Sequence, residues 1–292
     1  MLANRFFSCF NPFIIIPHSY TPVSTPPISM MPEQLPNPHN FNFHSYCSID
    51  DLNSVFFYSS NTQLKIISLN CRSLAKSFIK LKILLQTISN RPELIALSET
   101  WISANDSNFY SIQGYNLILI PRPDRRGGGV GFYIDANIDY IVRSDLRNSL
   151  NVTSFEVIII ELRFKNMPSV FIINCHKPPT ANPGLFNDQL SALLDTIDRN
   201  GVKHTIVVLG DFNIDLFNSS TNTATKFLDS MSLHNLYPSI LTATRVTEHH
   251  QSLIDNIFVS PCLNTSTSGV VLEDISDHYP VFIKLNIDTR PK

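Results

Sequence analysis

The sequence predicts an α/β fold, a four-layer α/β/β/α sandwich in which two mixed sheets pack face to face under outer helices. Three observations point there. Short apolar runs of strand length recur along the chain between Gly, Pro and Asn-rich turns. Amphipathic stripes with helical spacing interrupt them. The chain also divides into two successive halves, each carrying several strands and one long helix, with no repeat at a fixed period.

The elements follow in order from Leu64. Lys65–Asn70 is a short apolar strand ending on an asparagine. Leu74, Phe78, Leu81, Leu85 and Ile88 then recur at steps of four, three, four and three, which places them on one helical face. Glu93–Ser98 is a second buried strand, closed by Glu99. Tyr115–Ile120, Gly129–Asp135, Phe155–Leu162 and Val170–Cys175 are further strands. Asn182 and Pro183 are a capping residue and a first-turn proline. Phe186, Leu190, Leu193, Leu194 and Ile197 make the buried face of the helix they open, and Gly201 stops it. His204–Leu209 is a strand running into Gly210 and Asp211, and a weaker helix covers Ala224–Met231. Leu253–Val259, a run around Gly269–Leu272, and Val281–Leu285 complete the strands.

Residues 1–60 are different. They hold eight of the 19 prolines within their first 40 positions and only four charged residues, Arg5, Glu33, Asp50 and Asp51. No period survives there, so the sequence predicts a disordered Pro/Asn/Ser-rich leader that adds nothing to the core, followed by one domain over 61–288. Setting aside the leader's one basic and three acidic residues leaves 21 of each sign.

Composition narrows the function. With 292 residues, 43% of them hydrophobic, the chain can bury a full core and is not globally disordered. A net charge of −2 excludes binding to nucleic acid through bulk charge alone, so a phosphate substrate requires a local basic patch or a bound cation. No apolar run is long enough to span a bilayer; Val157 to Leu162, for example, is short and contains Glu161. The five cysteines, Cys9, Cys47, Cys71, Cys175 and Cys262, are too scattered for a zinc knuckle or redox pair and read as reduced thiols in an intracellular protein.

Polar residues recur at the ends of the apolar strands: Asn70, Glu99, Asp211 with Asn213, Asp255 with Asn256, and Asp277 with His278. Any one of them alone is a turn residue. Converging on one rim, they make an oxygen-rich site suited to Mg2+ or Mn2+, with a histidine beside it to stabilise charge on a phosphoryl group.

The segments that carry these residues are "KIISLNCRSL" (65–74), "LIALSETW" (94–101), "RGGGVGFYI" (126–134), "VVLGDFNID" (207–215), "SLIDNIFVS" (252–260) and "ISDHYPVFIKL" (275–285). In this order they resemble the exonuclease–endonuclease–phosphatase superfamily of apurinic endonucleases and DNase I. The glycine run and "CHKPP" (175–179) look most like the endonuclease domain of non-LTR, LINE-type retrotransposons. The resemblance implies a DNase I-like fold and a set of roles. Glu99, Asn70 and Asp277 hold the divalent cation; Asp211 orients and deprotonates the attacking water; Asn213 hydrogen-bonds a phosphate oxygen. His278 donates to the pentavalent transition state and is oriented by Asp255. His176 stands where related endonucleases usually carry a tyrosine that contacts the phosphate, and its imidazole can also donate a hydrogen bond. Arg72, Arg126, Lys177 and Arg245 are candidates to position DNA phosphates, together with Arg122, Arg125 and Lys76. Gly127–Gly129 offer either backbone amides to a phosphate or a simple hairpin turn.

The resemblance thus implies an endonuclease, dependent on Mg2+ or Mn2+, that nicks one DNA strand by phosphodiester hydrolysis and leaves a 3′ hydroxyl. It implies an intracellular, nuclear monomer, with DNA and not a membrane as partner, and a reverse transcriptase encoded elsewhere as the user of the nicked end. A phosphatase of the same fold and a catalytically silent, retroelement-derived nucleic-acid-binding relic are the alternatives.

Overall fold

The computed structural model describes residues 42–57, 63–122, 127–150, 152–164, 168–198, 204–218, 221–260 and 267–287. With strands numbered along the chain, the larger sheet has seven, in the order β1 (Asn42–Cys47), β14 (Thr267–Val271), β15 (Val281–Asn286), β2 (Gln63–Asn70), β3 (Leu94–Ser98), β5 (Val130–Asp135) and β4 (Tyr115–Ile120). The smaller has six: β10 (Tyr237–Pro238), β13 (Asp255–Val259), β9 (Thr205–Asp211), β8 (Val170–His176), β7 (Glu156–Leu162) and β6 (Tyr140–Val142). Parallel pairs (β2–β3, β8–β9) sit among antiparallel ones in each, so both sheets are mixed, as expected. A short hairpin, β11 (Arg245–Val246) and β12 (Gln251–Ser252), pairs separately.

Side-chain alternation explains why these strands are apolar on both faces. In β2, Leu64 and Ile66 face the opposing sheet, whereas Ile67 and Leu69 face outward. In β9, Val207 and Leu209 point between the sheets and Ile206 and Val208 point out. The outer faces are covered by helices. Leu74, Leu81, Leu84 and Leu85 of α2 (Leu74–Thr87) pack on the larger sheet. On the smaller sheet lie Leu146 of the short α3 (Ser144–Ser149) and Phe186, Leu190, Leu193, Leu194 and Ile197 of α4 (Pro183–Asp198), with Ala224, Phe227 and Met231 of α5 (Asn222–Leu233). Apolar packing on both faces leaves the strand ends as the place where polar groups reach the rim. Among the described residues no helix is long and apolar enough to cross a membrane, and Cys47, Cys71 and Cys175 are buried free thiols.

The expected leader needs correction. Residues 42–57 belong to the fold: β1 pairs in parallel with β14, and α1 (Ile49–Phe57) packs on the outer face of the larger sheet. The local signal was present as a capping box. Ser48 N–H donates to Asp51 Oδ2 (3.0 Å) and Asp51 N–H donates back to Ser48 Oγ (3.2 Å), opening a turn whose Leu52 and Phe56 lie on one face. Phe56, fully buried, meets Phe282 edge-on with centroids 5.7 Å apart, and Lys284 Nζ donates to Val55 O. The Pro-rich composition upstream hid one amphipathic turn. Residues 1–41 lie outside those described.

Deleting residues 1–60 is therefore expected to lower the melting temperature by many degrees, because it uncovers Phe282 and the outer face of β2 and β15. Phe56→Ala alone should remove about 3–5 kcal/mol in chemical denaturation. An unchanged midpoint in both would show that this segment does not support the core.

Candidate active site

Register builds the site. Across four adjacent strands of the smaller sheet, Glu156 of β7 stands opposite His176 of β8, His176 opposite Asp211 of β9, and Asp211 opposite Asp255 of β13. Residues paired across strands share a face, and this face is the inner one. Ile158 and Ile160, Val170 and Ile172, Val207 and Leu209, and Ile257 and Val259 lie on it in the same four strands. The row of ionisable groups thus continues the inter-sheet core to its rim. One step deeper, Asn174 Nδ2 donates to Leu97 O (2.9 Å) and Gly131 O (3.0 Å), tying the two sheets together just beneath the site.

The larger sheet supplies the facing side. Asn70 ends β2 opposite Ser98 of β3, which places Glu99 next to it. The backbone turns sharply here: Arg72 (φ 40°), Ser73 (φ 93°), Glu99 (φ 50°) and Trp101 (φ 55°) are all left-handed, as is Asn213 (φ 46°) after β9. Such backbone is costly for residues with a Cβ and is retained where neighbours over-determine it. Asn70 Nδ2 donates to Asp211 Oδ2 (2.8 Å) and lies 3.4 Å from Glu99 Oε1, while its Oδ1 accepts from Arg72 N–H (3.0 Å). Expected as a metal ligand, Asn70 instead presents its donor end and orients both carboxylates. Trp101 Nε1 donates to Glu99 Oε2 (3.2 Å). Burial alone would raise the Glu99 pKa, but the His176 imidazole and the donors of Asn70 and Trp101 bring it down to about 2.

Glu156, which has no motif of its own in the sequence, fixes His176. Its Oε2 accepts from His176 Nδ1 (2.7 Å) and from Gly129 N–H (2.8 Å), and its Oε1 pairs with Arg122. Burial opposes ionisation of Glu156, yet His176 and Arg122 hold its pKa below the ordinary range, so Nδ1 carries the proton of this hydrogen bond. The glycine loop serves the same contact. A Cβ on Gly128 would overlap the Arg122 guanidinium and the Glu156 carboxylate, and one on Gly129 would lie 2.6 Å from Thr100 Oγ1. The Gly129 amide is thus committed to Glu156. The signal available in the sequence was register: Glu156 opens its strand as His176 ends the neighbouring one.

The other half of the row centres on Asp211. Asn213 donates to it from N–H (2.9 Å) and Nδ2 (3.0 Å), and Nδ2 also reaches Lys177 O (2.9 Å). Burial, then the charge of Asp255, raise the Asp211 pKa to about 6 against the pull of His278 and His176. Asp255 Oδ2 accepts from His278 Nδ1 (2.8 Å) and from Thr244 Oγ1 (2.7 Å). Thr244 is a second residue missed in the sequence. Its hydroxyl also accepts from Asp255 N–H (3.1 Å), which anchors the strand leading to the β11–β12 hairpin. Burial would push both imidazoles down, but their carboxylate partners raise His176 and His278 to about 9.

Other expected residues stand elsewhere. Asp277, expected on the metal side, is held by Arg72 and by Arg245 Nη2 (3.0 Å) at the surface and is not part of the converging clusters. Arg72 and Arg245 stay partly exposed on the rim. Lys177, expected to meet DNA phosphate, is buried (1% exposed), with Nζ on Pro178 O and its pKa lowered by burial. Arg125 and Arg126 lie outside the described residues.

Among the described residues, two clusters bring ligand atoms within 4.8 Å of one another: Glu99, His176 and Asp211, and Asp211, Asp255 and His278. Carboxylate oxygens in this density, with the His176 Nε2 atom buried and lacking a hydrogen-bond partner, fit a divalent cation.

The sequence matches the Endonuclease/Exonuclease/phosphatase family over residues 67–278, a span that runs through the rim from Asn70 to His278. Among solved structures, the fold is similar to the endonuclease domain of TRAS1, a telomere-specific non-LTR retrotransposon. That likeness covers 77% of this chain and 99% of that one at 14% identity, with a TM-score of 0.58. It is similar to the AP endonuclease LMAP from Leishmania major (14% identity, 79% and 90% covered, TM-score 0.63). It is also similar to the 3′-5′ exonuclease NExo from Neisseria meningitidis (18% identity, 76% and 100% covered, TM-score 0.57). At these identities the structural likeness is one of fold. The match over 67–278 and the two-sheet sandwich that carries it lead to one conclusion: the chain belongs to the endonuclease/exonuclease/phosphatase family.

Proposed function

We propose that this chain is a divalent-metal-dependent DNA endonuclease of the retrotransposon type, which hydrolyses one phosphodiester bond and leaves a 3′ hydroxyl. The observation that carries the reading is the in-register row Glu156, His176, Asp211 and Asp255 facing Asn70 and Glu99 across the sandwich. A cation held by Glu99, with Mg2+ or Mn2+ as the candidates, would neutralise charge developing on the phosphate and the leaving oxygen. Asp211, held by Asn70 and Asn213, orients and deprotonates the attacking water. Asn213 gives its N–H and one Nδ2 hydrogen to Asp211 and the other Nδ2 hydrogen to Lys177 O. Its contact with a phosphate oxygen therefore requires one of these bonds to be exchanged when substrate binds. His278 donates its free ring N–H to the transition state, while Asp255 fixes its orientation and keeps it positively charged. Asp277 shapes the rim through its two arginines.

Favouring DNA over a small phosphoester, the β11–β12 hairpin stands beside the site, linked to it through Thr244, and Arg245 and Arg72 present charge at its edge. The likeness to the TRAS1 endonuclease domain supports the retrotransposon type. On this reading the chain acts as a nuclear monomer, and a reverse transcriptase encoded elsewhere extends the nicked end.

Plasmid nicking by the full chain with Mg2+ tests the reading. Asp211→Asn is expected to lower the rate by a hundredfold or more, on the order of a lost catalytic group. Circular dichroism should show the variant folded, so that the loss reports chemistry and not unfolding. The new amide NH2 faces a donor of Asn70 or Asn213 and costs some stability. Near wild-type nicking by a folded Asp211→Asn protein would contradict the assignment.

The pH profile tests His278 separately. With its pKa raised to about 9, the imidazolium is present at neutral pH and is lost as pH rises through that value, so nicking should fall on an alkaline limb near it. Asp255→Asn removes the carboxylate that sustains the charge and should move the limb toward the ordinary histidine value of about 6.5. An alkaline limb that Asp255→Asn leaves in place would assign it to another group.

A further inference from the structure

The His176 side chain is buried and aimed into the acidic cluster, yet its Nε2 atom has no hydrogen-bond partner. Glu99 Oε1 stands 3.5 Å away without hydrogen-bond geometry. The other ring nitrogen is fully engaged, with Nδ1–H donating to a Glu156 carboxylate that Arg122 and Gly129 hold in place. Because Nδ1 keeps its proton for Glu156, Nε2 is the ring nitrogen that can exchange its proton for a bound cation, and it faces the carboxylates of Glu99 and Asp211. One ligand atom from each of His176, Glu99 and Asp211 lies within 4.8 Å of the other two.

We propose that His176 Nε2 is an inner-sphere metal ligand alongside Glu99, and that this nitrogen makes the centre selective for a transition-metal dication such as Mn2+ over Mg2+. The proposal rests on the hydrolase reading of the site and deepens it. Two donors each about 2.1 Å from one cation stand about 3.0 Å apart at a right angle and about 3.4 Å apart in tetrahedral geometry. The Nε2–Oε1 separation of 3.5 Å is close to that span. Imidazole suits borderline transition metals, whereas Mg2+ prefers an all-oxygen shell. Glu156 completes a carboxylate–histidine–metal arrangement, in which the outer carboxylate fixes the tautomer and raises the basicity of the ligand nitrogen. Glu156 is thus a positioning residue: it holds the ring, and its own carboxylate is directed away from Glu99 toward Nδ1, Gly129 and Arg122. The glycines at 128 and 129 leave the room this contact requires.

The test is Mn2+ titration of the full-length chain, followed by electron spin-echo spectroscopy. Imidazole nitrogen modulation of the bound Mn2+ is expected in the wild type and should be absent in folded His176→Tyr. Mg2+ should need a roughly tenfold greater excess to displace Mn2+ from the wild type than from His176→Tyr. Glu156→Gln should weaken Mn2+ binding by about 10–100-fold while the chain stays folded by circular dichroism. It provides an independent reading if His176→Tyr does not fold. Bound Mn2+ without nitrogen modulation would overturn the inference and leave the hydrolase reading standing. A chain that binds no Mn2+ at all would overturn both.

Discussion

Strand alternation is the constraint on which the rest depends. Each central strand is buried on both faces, so every second residue points into the space between the sheets until the strand reaches the rim. Leu209 and Asp211, Ile158 and Glu156, and Ile257 and Asp255 are neighbours in that progression, and in β8 Asn174 stands between Ile172 and His176. A single-residue slip in any of these strands would turn its ionisable group toward the helices and bring an apolar one to the site. The same register that assembles the core therefore assembles the chemistry. Asn174, hydrogen-bonded to both Leu97 O and Gly131 O, pins the two sheets where an error would matter most.

The arrangement sets the rim against the stability of the fold. Acidic groups are packed closely enough that burial and the charge of Asp255 raise the Asp211 pKa, and the carboxylates in turn raise the pKa of both imidazoles. Left-handed backbone at Glu99 and Asn213 adds to this local cost. The apolar layers on either side, from the helix α2 face to the α4 and α5 aromatic cluster, provide the stability that lets a crowded polar rim persist.

Much of this was legible in the chain. The runs ending at Asn70, Glu99 and Asp211 carry their polar residue at a strand terminus, and the Asp-Phe-Asn and Ser-Asp-His segments mark both ends of the domain. What remained hidden depends on pairings between distant segments. Glu156 looks like an ordinary first residue of a strand until β7 is set against β8. Thr244 looks like a loop residue until its hydroxyl meets Asp255. Asp277 and Asn70 have the residue types of metal ligands, but two arginines hold the first and the second turns its amide nitrogen inward. Lys177 has the charge of a phosphate contact, but the turn after β8 buries it. The Ser48–Asp51 capping box was local and readable, and the proline-rich composition around it concealed the helix it opens.

The central claim is that the two sheets present one cation position, at Glu99 and His176 beside Asp211. Anomalous scattering from crystals of the chain soaked in Mn2+ measures this directly. The account predicts a peak between the Glu99 carboxylate and His176 Nε2. A peak at Asp277 and its arginines, or an empty rim at saturating Mn2+, would contradict it.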